Sequence, residues 1–277
     1  MSIITSRLIS VNFKLTATIL EGEKFGKNHL LYRTDDVVQS AHQDFQLPDD
    51  FCWLRTKPAE RCWSLMVRSS AKAFAYLYTY GYRQTRIIGL EKLRPYQKQG
   101  YFVYGNHTQP INDVFMPFLV GQARHFYALA APANWGIPVI GPLLSFGGAL
   151  PVGNSLHQTA QLLKAVQKVV QHQGHVFIYP EAHVWPAYTE IRPFPDTSFR
   201  FPVKTQSPAF CMTTTYQKPR FGKKPRLTVF IDGPFIPAKN QSAKKQQVWL
   251  HDQIQAAMNQ RARCSSYESI KYVQERR

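Results

Sequence analysis

The prediction of the fold starts from residues 100–116, which read GYFVYGNHTQPINDVFM. The run at 101–104 is apolar, aromatic and β-branched, which is typical of a strand that enters a hydrophobic core. Gly105 interrupts this run, so His107 is expected at the end where a buried strand leaves the sheet. Asp113 follows close to the start of a second apolar run. The stretch therefore predicts a buried strand, a polar loop and the beginning of another element.

His107 and Asp113 suggest a chemical function for this loop. If the two side chains meet, the carboxylate accepts the proton of one imidazole nitrogen and leaves the other nitrogen as a general base. A loop histidine and a helix-capping aspartate that never touch would give the same pattern, because both residue types favour loops. The pair alone leaves both interpretations open.

The composition indicates a globular protein with an anionic partner. The chain has 277 residues, of which 44% are hydrophobic, enough for one large α/β domain or two small ones. Lys and Arg number 34 against 17 Asp and Glu, a net charge of +17. Such a charge suits nucleic acid, an anionic membrane surface, coenzyme phosphates or an acidic carrier protein. Charge alone does not choose among them.

Cysteine usage and hydropathy bear on the compartment. The four cysteines lack metal-ligand spacing and are too sparse for a disulfide scaffold, so no metal site is expected. No window holds about 18 uninterrupted apolar residues, and residues 1–20 lack the apolar core and cleavage site of a signal peptide. We therefore expect no transmembrane helix. A peripheral protein on the cytoplasmic side of a membrane fits this pattern.

The order of predicted elements gives the domain organisation. Residues 1–60 form an extension of uncertain structure, in which the alternation at 9–15 favours an early strand. A basic amphipathic helix is predicted at 61–82, which either lies in a membrane interface or packs on the domain. The α/β domain is predicted to cover 61–262. A charged tail follows at 263–277.

Strands alternate with helices within this domain. The clearest helix spans 155–173, with Ser155 and Gln158 as a capping box and Gly174 as the stop. The strand at 175–179 follows, whereas 135–152, rich in Gly and Pro, is predicted as a loop ending in a short strand. This alternation predicts an α/β fold with a mainly parallel sheet flanked by helices. Ligands gather at the carboxyl ends of such strands, where His107 and Glu181 both fall.

The ordered set of motifs resembles the glycerolipid acyltransferase family, of the lysophosphatidic-acid acyltransferase (PlsC-like) type. The motifs that carry the resemblance are Asn106-His107 with Asp113, the block Phe146-Gly147-Gly148-Ala149-Leu150-Pro151-Val152, the strand end Phe177-Ile178-Tyr179-Pro180-Glu181, and Pro193-Phe194 with Phe199-Arg200. The similarity covers roughly residues 84–235 in the family's order. It implies a glycerol-3-phosphate acyltransferase-like fold.

The resemblance also implies a reaction. A fatty acyl group would move from acyl-CoA or acyl carrier protein to a hydroxyl of a glycerolipid precursor such as lysophosphatidic acid, with no cofactor. His107 would act as general base and Asp113 would orient it. The residues expected to bind substrate are Asn106, Gly147, Gly148, Glu181, Arg200 and Lys204. Backbone N–H groups near Asn106 or Gly147-Gly148 are candidates for steadying the oxyanion, and Glu181 would bind acceptor hydroxyls unless it is only a solvated strand-end carboxylate.

The chain departs from the family pattern in two ways. The spacing from His107 is one residue longer than in the family, so a strict count lands on Asn112. Asp113 is favoured because only a carboxylate stabilises an imidazolium on the histidine. The two family arginines near the acceptor phosphate are absent after Val152 and after Glu181. This leaves the acceptor open, with Arg192, Arg200 and Lys204 as substitutes.

Two other functions remain open at this stage. A nucleic-acid-binding protein would use the positive charge, but the basic residues are scattered and no zinc-finger, RNP or helix-turn-helix signal is present. A catalytically silent lipid-binding relative would explain the absent arginines, although it would not need His107 and Asp113.

Overall fold

The computed structural model describes residues 27–30, 45–121, 125–220, 222 and 224–274. The alternating segment at 9–15 lies outside these residues. The described strands are β1 (Lys27–Leu30), β2 (Arg86–Ile88), β3 (Tyr101–Gly105), β4 (Phe126–Ala130), β5 (Ala149–Pro151), β6 (His175–Ile178), β7 (Ala209–Gln217), β8 (Arg226–Phe235) and β9 (Lys271–Gln274). The described α-helices are α1 (Pro58–Tyr76), α2 (Asn112–Val120), α3 (Ile140–Gly147), α4 (Leu156–Gln171), α5 (Arg200–Thr205) and α6 (Ala243–Ala262).

Seven of these strands form one sheet in the order β2-β8-β7-β3-β6-β4-β5. The pairs from β7 through β3, β6 and β4 to β5 are parallel, as is β2 with β8, whereas β7 and β8 are antiparallel. The sheet is therefore mixed and mostly parallel, with helices on both faces, as the sequence predicts. The carboxyl ends of the five neighbouring strands from β7 to β5 share one edge.

Strand β3 lies at the centre of this sheet because every one of its side chains is buried. Phe102 and Tyr104 contribute to the core shared with α4, α5 and α6, whereas Tyr101 and Val103 contribute to the core shared with α1 and α2. This alternation follows from the two-residue period of a strand. The chain that leaves β3 therefore emerges between two packed layers.

Helix α4 begins where the sequence predicts. The Ser155 hydroxyl accepts the N–H of Gln158 at 3.1 Å, and the Gln158 side chain accepts the N–H of Asn154 at 2.9 Å. These bonds satisfy donors that the first helical turn leaves without partners. Leu162 and Val166 then pack into the core, and Gly174 follows the helix.

Two helices differ from their predicted form. The helix predicted at 61–82 begins at Pro58 and changes to π-helical geometry over Leu77–Tyr82. The region 135–152, predicted as a loop, contains α3. This short helix includes Gly141 and Pro142 in its first turn, and Gly148 ends it in the left-handed conformation at φ 99°.

The C-terminal segment contains an ordered strand. Strand β9 pairs in parallel with β1, and the Tyr272 hydroxyl donates to the carbonyl of Pro186 at 2.6 Å. The Tyr272 ring also stacks on Trp185 at 5.3 Å between centroids. The division of the chain at residues 60 and 263 stays a prediction. Within the part of the chain that the structure describes, no helix has both the length and the apolar character needed to cross a membrane.

Candidate active site

His107 follows β3 at the carboxyl edge of the sheet and is held by contacts to its backbone and its ring. Its N–H donates to Glu181 Oε2 at 3.0 Å, and its carbonyl accepts the N–H of Trp185 at 3.1 Å. Its ring stacks on Tyr179 with centroids 4.6 Å apart. The imidazole is therefore fixed in position while 18% of the side chain stays exposed.

Asp113 contacts this imidazole from the first turn of α2. Its Oδ2 lies 2.9 Å from His107 Nδ1 and accepts the N–H groups of Thr108 and Gln109, also at 2.9 Å. The carboxylate is fully buried. Because a carboxylate only accepts, Nδ1 of the neutral imidazole carries the proton and Nε2 is the unprotonated nitrogen. The site thus presents a lone pair whose direction Asp113 sets.

Asn112 takes no part in this pair. Its Oδ1 accepts the Thr79 hydroxyl at 2.6 Å, and its Nδ2 donates to Gln109 Oε1 at 3.1 Å. The Gln109 amide in turn donates to Thr214 Oγ1 at 3.2 Å. The geometry pairs Asp113, and not Asn112, with His107, and it ties the loop to the π-helical turn and to β7.

Glu181 differs from both of its sequence-based interpretations. Its side chain is fully buried rather than solvated, and both oxygens are engaged. Oε1 accepts the backbone N–H of Arg192 at 3.0 Å, and Oε2 accepts the guanidinium of Arg192 at 3.1 Å as well as the N–H of His107. The carboxylate is therefore not open to an acceptor hydroxyl, and Arg192, itself 3% exposed, is committed to this ion pair. The Glu181–Arg192 ion pair therefore stabilises the conformation of the His107 loop.

Asn106, which is expected to bind substrate, makes a structural contact instead. Its Nδ2 donates to the carbonyl of Thr214 at 3.0 Å, and its Oδ1 accepts the N–H of Thr214 at 2.8 Å. The side chain is 2% exposed. This two-bond contact joins the end of β3 to β7 and engages both polar atoms of the side chain.

Gly147 and Gly148 lie far from His107. Through the registers of β5, β4, β6 and β3, Gly148 lies level with Phe102, roughly five residues before His107 and three strands aside, a separation of about 20 Å. A Cβ at Gly148 would meet the Arg68 guanidinium at 2.5 Å. The expectation that these N–H groups steady an oxyanion at His107 is not supported by this register. Gly148 instead allows α3 to end against Arg68.

Arg200 and Lys204 lie on the other face of the sheet from the His107 site. Both are exposed on α5, whose Phe201 and Val203 belong to the core shared with α4 and α6. Tyr179, on which His107 stacks, packs against the opposite core. The structure therefore does not bring these two cations to the predicted site.

Tyr179 belongs to the site although the motif comparison gives it no role. Its hydroxyl donates to the backbone carbonyl of Asp113 at 2.6 Å while its ring supports His107. Burial first, and then the charge of Asp113, raise the pKa of Tyr179 well above its ordinary value, so the phenol remains a donor. Its place at the carboxyl end of β6, one residue before Pro180, is the sequence signal that would have identified it.

The fold and the site define an α/β protein with a His–Asp pair at the carboxyl end of its central strand. Residues 84–215 match the acyltransferase family model. This segment holds β2 to β6, most of β7, and His107, Asp113 and Glu181. These residues form an acyltransferase-family domain, and the protein is an acyltransferase.

A solved structure shares this fold. The 1-acyl-sn-glycerophosphate acyltransferase PlsC from Thermotoga maritima superposes with a TM-score of 0.52 at 13% identity, over 74% of this chain and 83% of that one. The likeness shows a common fold. Comparison with curated protein sequences gave no significant match.

Proposed function

We propose that this protein transfers a fatty acyl group from an acyl thioester to a hydroxyl of a glycerolipid precursor such as lysophosphatidic acid. One observation carries the proposal: the 2.9 Å contact of His107 Nδ1 with the buried Asp113, at the carboxyl end of the central strand of an acyltransferase-family domain. PlsC is a 1-acyl-sn-glycerophosphate acyltransferase, which supports the choice of acceptor.

The reaction uses His107 as a proton carrier. Nε2 removes the proton of the acceptor hydroxyl as its oxygen attacks the thioester carbonyl. Asp113 stabilises the imidazolium that results and keeps the ring oriented. When the tetrahedral intermediate collapses, the C–S bond breaks and the imidazolium returns the proton to the thiolate. The products are an ester and a free thiol, and no covalent acyl-enzyme is required.

The exposed surface of α1 supports a location at a membrane interface. Trp63, Met66 and Phe74 of α1, and Leu77 at the start of the π-helical turn that continues it, are all exposed, by 47% to 74%. Their spacing places them on one stripe of a helix, and an exposed apolar stripe of this kind suits a lipid interface. We place the protein at the periphery of an anionic membrane, on the cytoplasmic side that its unpaired cysteines favour.

The donor is either acyl-CoA or acyl carrier protein, since both present an anionic surface to a chain of net charge +17. No further cofactor enters this reaction.

Thiol release from each donor, measured with a panel of hydroxyl acceptors, tests the proposal. Wild type is expected to release thiol only when a suitable acceptor is present, and His107→Ala is expected to slow that release by about 10²–10⁴-fold. No release with any pair, or release indifferent to His107, would contradict the mechanism. Salt-sensitive retention on DNA that His107→Ala leaves unchanged would then favour the nucleic-acid-binding alternative.

A further inference from the structure

The side chain of Tyr179 contacts both members of the His107–Asp113 pair. Its ring stacks on the imidazole, with the centroids 4.6 Å apart and the two planes 22° from parallel. Its hydroxyl donates to the backbone carbonyl of Asp113 at 2.6 Å. One side chain therefore reaches from the proposed base to the helical turn that carries its carboxylate partner.

The carbonyl that accepts this hydroxyl cannot have its usual helical partner. In an α-helix the carbonyl of residue i accepts the N–H of residue i+4. Within α2 the residue four positions after Asp113 is Pro117, which has no N–H. A backbone carbonyl inside a protein needs a donor, because an unpaired one lowers stability. The Tyr179 hydroxyl supplies that donor and so links the end of β6 to the first turn of α2.

The ring of Tyr179 is itself held in place. It packs against the core shared with α1 and α2, and a Cβ added at Gly105 would lie 2.7 Å from its Cε1. Gly105 ends β3, two residues before His107, and so close an approach needs a residue without a side chain. The ring therefore lies directly against the backbone that leads to the His107 loop.

The contacts of the His107 backbone do not set the orientation of its ring. Its N–H and its carbonyl bond to Glu181 and Trp185, but the imidazole still turns about its own side-chain torsions. The stacked ring of Tyr179 limits that rotation, and the contact from Nδ1 to Asp113 sets its direction. Both restraints depend on Tyr179, since its hydroxyl also holds the turn from which Asp113 extends.

We infer that Tyr179 is a positioning residue for acyl transfer. Its ring sets the plane of the His107 imidazole, and its hydroxyl holds the Asp113 turn where Pro117 supplies no donor. This inference rests on the proposed function. Because Tyr179 acts through the pair and not on a substrate, its loss lowers kcat rather than raising KM.

Tyr179→Phe removes the hydroxyl and keeps the ring. It is expected to lower kcat by about 10-fold and to leave the KM of donor and acceptor unchanged. The matched control is Tyr104→Phe. Tyr104 is fully buried in the core on the other face of the sheet, and its hydroxyl also donates to a backbone carbonyl, that of Ser198, at 3.1 Å. The control is expected to keep both kcat and KM.

Tyr179→Leu removes the ring as well. Its kcat is expected to fall by about 100-fold without a change in KM, so phenylalanine recovers part of the loss. Equal kcat values for wild type and Tyr179→Phe would overturn the inference, as would an equal loss in Tyr104→Phe or a rise in KM in place of the fall in kcat. Equal kcat values for the phenylalanine and leucine variants would overturn the role of the ring.

The proton on His107 Nδ1 tests the inference without turnover. Nuclear magnetic resonance of isotope-labelled histidine detects this proton, and its absence from His107→Ala identifies the signal. Its exchange with water is expected to be about 10-fold faster in Tyr179→Phe than in wild type, because the bond to Asp113 is less well aligned, and to be unchanged in Tyr104→Phe. Equal exchange in wild type and Tyr179→Phe would overturn the inference.

This measurement separates the inference from the proposed function. If wild type is inactive with every substrate pair but exchange responds to Tyr179→Phe and not to Tyr104→Phe, the positioning of the pair stands and the reaction falls. If wild type is active and neither exchange nor kcat responds to Tyr179→Phe, the reaction stands and the role of Tyr179 falls.

Discussion

His107 and His175 lie at opposite ends of the same sheet and have opposite surroundings. His107 follows the carboxyl end of β3, partly exposed, with a carboxylate at 2.9 Å and a tyrosine ring beneath it. His175 begins β6, is fully buried, and stacks on Tyr101 at 3.8 Å with no hydrogen-bond partner for either ring nitrogen among the described residues. The same side chain is oriented by a carboxylate and partly exposed at one end, and is buried and kept neutral at the other.

The neighbours cause this difference. Burial, and then the charge of His125, lower the pKa of His175 to about 4. His107 instead has a carboxylate partner, Asp113 Oδ2, 2.9 Å from its Nδ1. Residue type alone therefore does not identify a candidate catalytic histidine. The surroundings that the loop after β3 provides distinguish His107 from His175.

Loss of the Asp113 carboxylate should have the largest effect of the substitutions that test this contrast. Asp113→Asn keeps the volume but removes the charge that stabilises an imidazolium, so kcat is expected to fall by about 10²–10⁴, the contribution of general-base assistance. Acceptor-dependent thiol release measures it. Unchanged kcat in Asp113→Asn would show that His107 does not depend on this partner.

The ion pair beneath the His107 loop gives the next largest effect. Glu181→Gln leaves the charge of Arg192 buried and unpaired, so the free energy of unfolding is expected to fall by about 3–5 kcal/mol. Urea denaturation measures it, with Glu91→Gln, at an exposed carboxylate, as the control. A loss no larger than that of Glu91→Gln would mean that the pair does not hold the loop.

The motif order and the hydrophobic runs were sufficient to predict the sheet. Strands such as 101–104 and 175–179 are short, apolar and followed by polar residues, so their carboxyl ends could be placed together. Local spacing placed Asp113 only six positions after His107 but left open whether the two side chains meet, and Asp113 was favoured over Asn112 only through the family resemblance and the need for a carboxylate.

The contacts of the other predicted residues could not be read in this way. Asn106 bonds Thr214, which is 108 positions away, and the distance of Gly148 from His107 depends on the registers of four strands. In the sequence, Glu181 resembles an open carboxylate at a strand end. In the fold, Arg192 pairs with it. In each case the partner is set by tertiary structure rather than by local pattern.

The pH dependence of stability should show that His175 is neutral in the folded protein. A histidine whose folded pKa lies below its unfolded value of about 6.5 gives full stability above that pH and loses it as the pH falls toward 4. Between pH 7 and pH 5 this histidine should lower the free energy of unfolding by about 2 kcal/mol. The decline should be absent from His175→Phe and present in His157→Gln, which changes an exposed histidine. Parallel curves for wild type and His175→Phe would contradict the assignment.

The polar contact from the π-helical turn to the His107 loop should give the smallest effect. Thr79→Val removes the hydroxyl that donates to Asn112 Oδ1 at 2.6 Å, so it is expected to cost on the order of 1 kcal/mol of stability. Thr79→Ser keeps the donor and should recover most of it in the same denaturation experiment. Equal stabilities of the valine and serine variants would show that the hydroxyl contributes nothing.

Ester formation by the two histidine variants, followed by mass spectrometry with the best donor and acceptor, tests the central claim most directly. His107→Ala is expected to form acylated product on the order of 10²–10⁴ times more slowly than wild type, while His175→Phe keeps the wild-type rate. Product formed by His107→Ala at the wild-type rate would contradict it.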